Sequence, residues 1–308
     1  MSEFQILKDN KWLGEYKESL TKRHNNFKKV LETINEKYGS IDEFTQSYLF
    51  YGLHHRENAI YYKEWAPNAK AIHLVGDFNN WNSSDPETKC SRDSNGCFNL
   101  CLPDSEDGTP RIPHNSKVRC ILELGDGTQL SRVPAWINCT YQNPENFNID
   151  GIFWNPPEPF VFDHPYPEPR TNCAFLIYEC HIGMADREPR MHTYNEFTEK
   201  VLPYVKKHGF NAIQLMGIME HAYYASAGYQ VTSFFAPSYR YGTPDDLKRL
   251  INEAHKMGIY VILDTGINMF DGTDTSYFHS GKRGEHPVWD SRLFDYGNIE
   301  ILRFLLSN

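Results

Sequence analysis

The sequence predicts a multidomain protein with an N-terminal helical segment, an antiparallel Ig-like β-sandwich and a region in which strands and helices alternate. Apolar residues recur at helical spacing up to about residue 50, then at every second position, and after a proline-rich stretch strands alternate with helices. A length of 308 residues with 40% hydrophobic and 23% charged residues fits more than one folded domain. We place the helical segment at residues 1–50, the sandwich at 51–155, a linker at 156–170 and the β/α region at 171–308.

The N-terminal segment contains one amphipathic pattern. Its predicted apolar stripe has the spacing of one helix face and consists of Phe27, Val30, Leu31, Ile34 and Tyr38. Gly39 stands where this helix is expected to end, and Ile41 to Leu49 are expected to form a second short helix.

The sandwich is predicted from short strands that turn signals separate. The predicted strands are Ile60–Trp65, Ala71–Val75, Cys97–Leu102, Val118–Leu124 and Gln129–Val133. Asn79-Asn80, Asn95-Gly96 and Gly125-Asp126-Gly127 are typical turn sequences.

Six prolines between Pro156 and Pro169 predict an extended linker, and parallel strands are predicted after it. The predicted strands are a buried run at Ala174–Cys180, then Asn211–Met216 and Ile259–Asp264. Thr193 with Glu196 and Thr243 with Pro244 predict two helix starts. A last helix is predicted from about Asn298, and the chain ends inside it as if cut short; its expected apolar side is Ile299, Leu302, Arg303 and Leu306.

Charge and cysteine usage exclude several classes of function. A net charge of −9 argues against nucleic acid or an anionic membrane as the main partner. The chain opens with no secretory signal and has no apolar run of about 18 residues, so we expect a cytoplasmic protein. Its seven cysteines include no close CxxC pair, which indicates free thiols. The aromatic content of 14% suits stacking on a neutral polar ligand.

Four segments could carry chemistry, and each also has a structural interpretation of similar weight. Asp264 ends a predicted strand, where functional groups of α/β sheets lie, but it could instead order a loop. His181 could face a cleft or be a satisfied structural histidine, and the aromatic loop 220–230 could cover a sugar or pack on its own domain. Trp81, in the turn 77–82, could expose a flat ring or fold into the core.

Other site classes find no support in the sequence. The phosphate-binding, serine-hydrolase and zinc-protease motifs do not occur. The pairs His54-His55 and His279 with His286 lack the spacing of metal ligands, and we expect neither a metal nor a cofactor.

Long segments of the chain together resemble the eukaryotic glycogen branching enzymes (1,4-α-glucan branching enzymes), which are α-amylase-superfamily proteins of glycoside hydrolase family 13 with a family 48 carbohydrate-binding module. The segments, in chain order, are 63–67 (KEWAP), 76–82 (GDFNNWN), 213–216 (IQLM), 219–226 (MEHAYYAS), 228–230 (GYQ), 268–274 (NMFDGTD), 289–294 (WDSRLF) and 302–308 (LRFLLSN).

The resemblance implies that the β/α region is an incomplete (β/α)₈ TIM barrel that holds strands 1–3 only. It further implies the family's reaction, in which an α-1,4 glucan is cut and rejoined through an α-1,6 bond. That chemistry is retaining: one carboxylate attacks the anomeric carbon and a second carboxyl group protonates the leaving oxygen. The implied partner is an α-glucan.

The resemblance also assigns residues. Tyr229 matches the tyrosine that lines the subsite of the cleaved sugar, Asp264 matches the aspartate that ends strand three, and His221 belongs to the same remnant of the cleft. An accessory glucan site is implied at Trp65, Ala66, Pro67, Trp81, Ser94, Asn95, Gly96, Cys97, Lys37, Tyr38, Glu300 and Arg303.

Departures from the family pattern bear on activity. About a dozen residues are missing after Asp264, including the subsite histidine, and the next histidine is His279. The family's nucleophile, acid/base and transition-state carboxylates fall beyond Asn308, so the sequence provides no catalytic residue. Three strands cannot close a barrel, and an open edge invites aggregation or association with a partner.

Three hypotheses therefore remain open. The chain is the N-terminal part of an active branching enzyme, a glucan-binding form or relic without catalysis, or an incomplete gene model. For the 308 residues alone the prediction is that no branching occurs.

Overall fold

The computed structural model describes residues 4–167, 174–264 and 294–308. The predictions for the segment after Asp264, including the missing residues, His279 and His286, lie outside the described residues. The chain divides into two compact units, residues 1–48 with 303–308, and residues 49–302.

The described residues form seven α-helices. They are α1 (Gln5–Asp9), α2 (Lys17–Tyr38), α3 (Ile41–Thr45), α4 (Tyr194–Glu196), α5 (Leu202–Lys207), α6 (Pro244–Lys256) and α7 (Ile299–Ser307). The described part of the chain contains no helix long and apolar enough to cross a membrane.

The first unit confirms the predicted N-terminal helix but not all of its apolar stripe. Helix α2 ends before Gly39, whose φ of +85° suits glycine, and the Ser40 hydroxyl accepts a hydrogen bond from Glu43 N at 3.1 Å to begin α3. Within α2 only Ile34 is buried, whereas Phe27 is 61% exposed. The unit therefore buries one end of the predicted stripe, because its packing lies near α3 and α7.

The predicted apolar side of α7 is wrong in part. Ile301, Phe304 and Ser307 are buried, whereas Leu306 is 48% exposed. Arg303 is also buried, and its guanidinium lies over the rings of Tyr38 and Phe44, at 4.3 and 4.7 Å.

Two antiparallel sheets form the sandwich. The first sheet has the order β1 (Gly52–Arg56), β2 (Ala59–Trp65), β5 (Cys97–Pro103) and β4 (Ser91–Arg92). The second has the order β3 (Ala69–Gly76), β6 (Lys117–Leu124), β9 (Ile149–Ile152) and β8 (Thr140–Gln142), with β7 (Gln129–Arg132) also paired to β6. The predicted strands are confirmed, and β1, β4, β8 and β9 are additional.

The core lies between the two sheets. Alternation in β2 turns Ile60 and Tyr62 inward, and Phe98 of β5 joins them. Ile72 and Val118 come from the second sheet, and all five side chains are at most 1% exposed.

The β/α region contains a parallel sheet of order β10 (Ile177–Cys180), β11 (Ala212–Leu215) and β14 (Tyr260–Leu263). A hairpin that the sequence analysis missed, β12 (Met219–His221) with β13 (Val231–Pro237), follows β11. Both predicted helix starts are confirmed, because Thr193 with Glu196 and Thr243 with Asp246 form capping boxes.

The prediction of a buried first parallel strand is wrong. Phe175, Leu176 and Ile177 are 55%, 57% and 44% exposed, and Leu263 of β14 is 42% exposed. An apolar run indicates that a strand is suited to burial. Its exposure in the fold depends on which elements pack against the strand. Here β10 and β14 are the two outer strands of the described parallel sheet.

The described part of the predicted linker, residues 156–167, contains no helix or strand. It is nevertheless tied to α6, since His164 N donates to Asn252 Oδ1 at 2.9 Å and His255 Nδ1 lies 3.0 Å from His164 O.

Candidate functional site

The loops that follow β2 and precede β5 bring together two segments of the predicted accessory site. Ala66 N donates to Gly96 O at 3.0 Å, and Trp65 Nε1 donates to Asn95 O at 3.2 Å. Gly96 has a φ of +79°, and a Cβ on it would lie 2.8 Å from Cα of Pro67. Glycine is required here both by the backbone angle and by the close approach.

The exposure of these residues separates supporting residues from those a ligand can touch. Trp65 is 6% and Ala66 is 1% exposed. Ser94 and Asn95 are exposed, and Pro67 is half-buried. The Trp65 ring therefore supports the loops, while the surface consists of the residues around it.

Tyr51, which the sequence analysis missed, connects two predicted residues. Its hydroxyl donates to Glu300 Oε2 at 3.2 Å and lies 3.3 Å from Cys97 Sγ. Its ring stacks on Trp136 at 4.8 Å, and burial raises the pKa of the Cys97 thiol. No local pattern indicates this, because Tyr51 and Glu300 are 249 positions apart.

Trp81 presents its ring to solvent from a tight turn. Asn80 and Trp81 have φ values of +50° and +60°, and Trp81 Nε1 donates to Asp77 Oδ1 at 3.2 Å. Asp77 Oδ2 in turn accepts from Lys117 N at 2.8 Å, which anchors the turn to β6. The indole is 40% exposed, so of the two alternatives the structure favours the exposed ring.

Three predicted glucan contacts belong to the first unit. Lys37 is exposed, Tyr38 lies under the guanidinium of Arg303, and Arg303 also donates to Ser47 Oγ at 3.1 Å. Their role toward a glucan stays a prediction.

Tyr229 and Asp264 of the predicted cleft are in direct contact. The Tyr229 hydroxyl donates to Asp264 Oδ2 at 2.6 Å. Burial, and then the neighbouring carboxylate, raise the pKa of Tyr229 to about 12. Tyr229 thus keeps its proton at neutral pH and holds the carboxylate at the end of β14.

Two glycines close the loop that carries Tyr229. Gly217 and Gly228 have φ values of +54° and +88°. A Cβ on Gly217 would overlap the carbonyl of Ala227, and one on Gly228 would overlap the carbonyl of Gly217. The position of Tyr229 therefore depends on backbone-to-backbone contact.

His221 lies in the interior. Its Nδ1 is 2.9 Å from Met219 O, its ring stacks with Tyr224 at 6.4 Å, and it is 0% exposed. Burial lowers the pKa of His221, and likewise that of His181, whose Nε2 lies 3.5 Å from the Tyr241 hydroxyl. Both rings are held as packed, neutral groups, and a cleft role for His221 stays a prediction.

The buried carboxylate of Glu220, next to His221 in the chain, joins the sandwich to the β/α region. The Glu220 carboxylate accepts hydrogen bonds from Arg240 Nη1 at 2.7 Å, Thr140 Oγ1 at 2.8 Å, His221 N at 2.9 Å, Tyr239 N at 3.0 Å and Ser238 Oγ at 3.3 Å. Arg240 also donates to Gln142 Oε1 at 2.6 Å. No sequence pattern indicated the pair of Glu220 and Arg240.

One cluster has the composition of a cation site. Ligand atoms of Asp186, His192 and Glu196 lie within 4.8 Å of one another. Arg190 already donates to Asp186 at 3.0 Å and to Glu196 at 2.7 Å, and Lys200 lies 3.7 Å from Glu196. These cations neutralise the two carboxylates.

Two protein families match separate parts of the chain. Carbohydrate-binding module 48 (isoamylase N-terminal domain) matches residues 50–137, which contain most of the sandwich. The alpha amylase catalytic domain matches residues 194–296.

Sequence relatives match nearly the whole chain. A 1,4-alpha-glucan-branching enzyme of Dictyostelium discoideum is 45% identical over 99% of this chain and 46% of its own length. One from Saccharomyces cerevisiae is 47% identical over 96% of this chain and 46% of its own length. The chain thus spans about half the length of the curated relatives it matches.

Solved structures agree on the fold. A pullulanase of group B Streptococcus has a TM-score of 0.66 at 18% identity, over 83% of this chain and 39% of that one. A glycogen-degrading pneumococcal virulence factor has a TM-score of 0.67 at 17% identity, over 86% and 33%.

Proposed function

We propose that this chain, a homologue of the 1,4-alpha-glucan-branching enzymes, binds α-glucan on its sandwich and forms part of a branching-enzyme cleft. The exposed Trp81 ring is the observation that carries the binding proposal. It lies inside the region matched by carbohydrate-binding module 48, and its turn is fixed through Asp77. A flat aromatic face with polar neighbours is suited to cover a sugar ring.

For the β/α region we propose the finer architecture of a partial (β/α)₈ barrel, and for the sandwich an Ig-like arrangement. The parallel order β10–β11–β14 and the match to the alpha amylase catalytic domain support the barrel. The direct contact of Tyr229 with Asp264 supports their placement in one cleft. We further propose the domain boundaries given above and a cytoplasmic location.

We propose that the 308 residues alone transfer no glucan chain. Double displacement needs two carboxyl groups about 5 Å apart. The family resemblance assigns neither of them to this chain, and Asp264 is already hydrogen-bonded to Tyr229. A glucan-binding form without catalysis is the second candidate, and it shares the exposed Trp81 with the first.

Glycogen co-sedimentation tests the binding proposal. The wild-type chain is expected to sediment with glycogen, and Trp81→Ala to remain largely in the supernatant. Trp12→Ala is the matched control, because Trp12 is 88% exposed in the first unit and has no proposed contact with glucan. Wild-type protein that stays in solution, or equal loss in both variants, contradicts the proposal.

Iodine staining of amylose tests the absence of catalysis. The purified chain is expected to leave the colour unchanged over hours at micromolar concentration. A loss of colour that co-purifies with the chain contradicts this part of the proposal. The outer strands β10 and β14 of the described parallel sheet are also proposed as a surface for association, which size-exclusion chromatography at several concentrations tests.

A further inference from the structure

The outer face of the first sandwich sheet carries a groove that the predicted accessory site does not include. The groove has a volume of about 350 Å³. Phe50 and Tyr61 supply aromatic rings, while Lys63, Ser91 and Asn99 supply polar groups to its lining.

Strand register places this groove on the same face of the first sheet as Trp65 of the accessory site. Trp65, Lys63 and Tyr61 are at alternate positions of β2 and so share one face. Their partners on β5 are Cys97, Asn99 and Cys101. The first pair belongs to the predicted accessory site, and the other two extend it along the strand. Trp65 and Tyr61 are four positions apart along the strand, a distance of about 13 Å.

The chemistry of the groove suits a neutral, hydroxyl-rich chain. Phe50 is 37% exposed and Tyr61 is half-buried, so each ring offers apolar area at the surface. The Lys63 ammonium lies 5.8 Å from the centre of the Phe50 ring, and the Arg56 guanidinium lies 4.9 Å from that of Tyr61. Each cation thus lies over one ring and supplies hydrogen-bond donors for sugar hydroxyls next to the apolar area of that ring. The lining contains no carboxylate.

From this arrangement we infer that the groove is a second α-glucan subsite, which lengthens the accessory surface along β2 and β5. The inference rests on the proposed glucan binding and adds to it a preference for long chains. A short oligosaccharide fills the accessory surface alone, whereas a longer one also reaches Tyr61.

Calorimetric titration of the full chain with maltotriose and maltoheptaose tests the subsite. Tyr61→Ala is expected to weaken maltoheptaose binding about fivefold, because one aromatic contact is lost, and to leave maltotriose binding unchanged. Asn99→Ala is a second variant with the same expected direction, and Tyr61→Phe, which keeps the ring, is expected to bind like wild type.

Phe147→Ala is the matched control, since Phe147 is 70% exposed between β8 and β9 on the other sheet. Circular dichroism of each variant shows whether the fold is retained.

Equal maltoheptaose affinity in wild type, Tyr61→Ala and Asn99→Ala, with weaker binding by Trp81→Ala, overturns the subsite alone. Absence of any oligosaccharide binding by the wild type overturns the proposed function as well. Because the groove holds two cations, displacement of maltoheptaose by inorganic phosphate would identify an anion site and overturn the glucan assignment.

Discussion

Glu64 shows how burial alters a single residue. Its side chain points from β2 into the sandwich, is 1% exposed and accepts a hydrogen bond from Ala135 N at 2.9 Å. Burial raises the pKa of this carboxyl group to about 8. The folded protein therefore holds a proton at neutral pH that the unfolded chain releases.

This proton predicts a dependence of stability on pH. The pKa of Glu64 is higher in the folded state, so the free energy of unfolding is largest below the unfolded value and falls as pH rises toward about 8. In that window the free energy of unfolding falls by about 1.4 kcal/mol per pH unit. Glu64→Gln is expected to flatten the profile, measured by urea unfolding from pH 5.5 to 8.5.

Glu106→Gln is the control for Glu64, because Glu106 is exposed on the same sandwich. This variant is expected to keep the wild-type profile. A Glu64→Gln protein with an unchanged slope would show that other groups determine the pH dependence.

At the scale of elements, the hairpin that joins β4 to β5 depends on Gly96. Gly96→Ala is expected to reduce the free energy of unfolding by about 1–3 kcal/mol, because the backbone angle is unfavourable and the Cβ would strike the Pro67 backbone. Gly108→Ala isolates the first effect, since Gly108 has a φ of +80° and nothing within 4 Å of an added Cβ. Its expected loss is about 1 kcal/mol. Equal losses in urea unfolding would show that the contact with Pro67 adds nothing.

Elements with strong local signals could be predicted from the sequence. Strand β2 and the start of helix α6 agree with prediction to within about two residues, because alternation and capping chemistry act over a few positions. Strands β1, β4, β8 and β9 of the sandwich were missed, since their patterns are weaker.

Less of the candidate site than of the fold could be predicted from the sequence. Residue patterns indicated Asp264 and the loop of Tyr229 separately, and the resemblance placed both in one cleft. The bond from Thr140 to Glu220 spans 80 positions, and no local spacing encodes it. The buried ion pair of Glu220 and Arg240 can be identified only in the folded structure, where the sandwich and the β/α region pack together.

At the scale of the whole molecule, that ion pair joins the sandwich to the β/α region. The side chains of Glu220 and Arg240 are 0% and 6% exposed, and their contacts reach Thr140 and Gln142 of β8. Arg240→Met would leave the Glu220 carboxylate buried without its cation. The expected loss in the free energy of unfolding is about 3–5 kcal/mol.

The double variant Glu220→Gln with Arg240→Met is expected to lose less than Arg240→Met alone, because no unpaired charge remains. Urea unfolding measures both, and limited proteolysis in residues 156–167 reports whether the two regions separate. A double variant less stable than the single one would contradict an electrostatic origin.

The glycine contact that closes the Tyr229 loop has a practical consequence. Gly217 and Gly228 hold the loop through its backbone, and the side chain of Tyr223 within the loop is 60% exposed. A fluorescent amino acid placed at position 223 by codon suppression would report, through its emission, when a molecule enters beside Tyr229. Position 223 is thus an attachment point for an optical test of the proposed cleft.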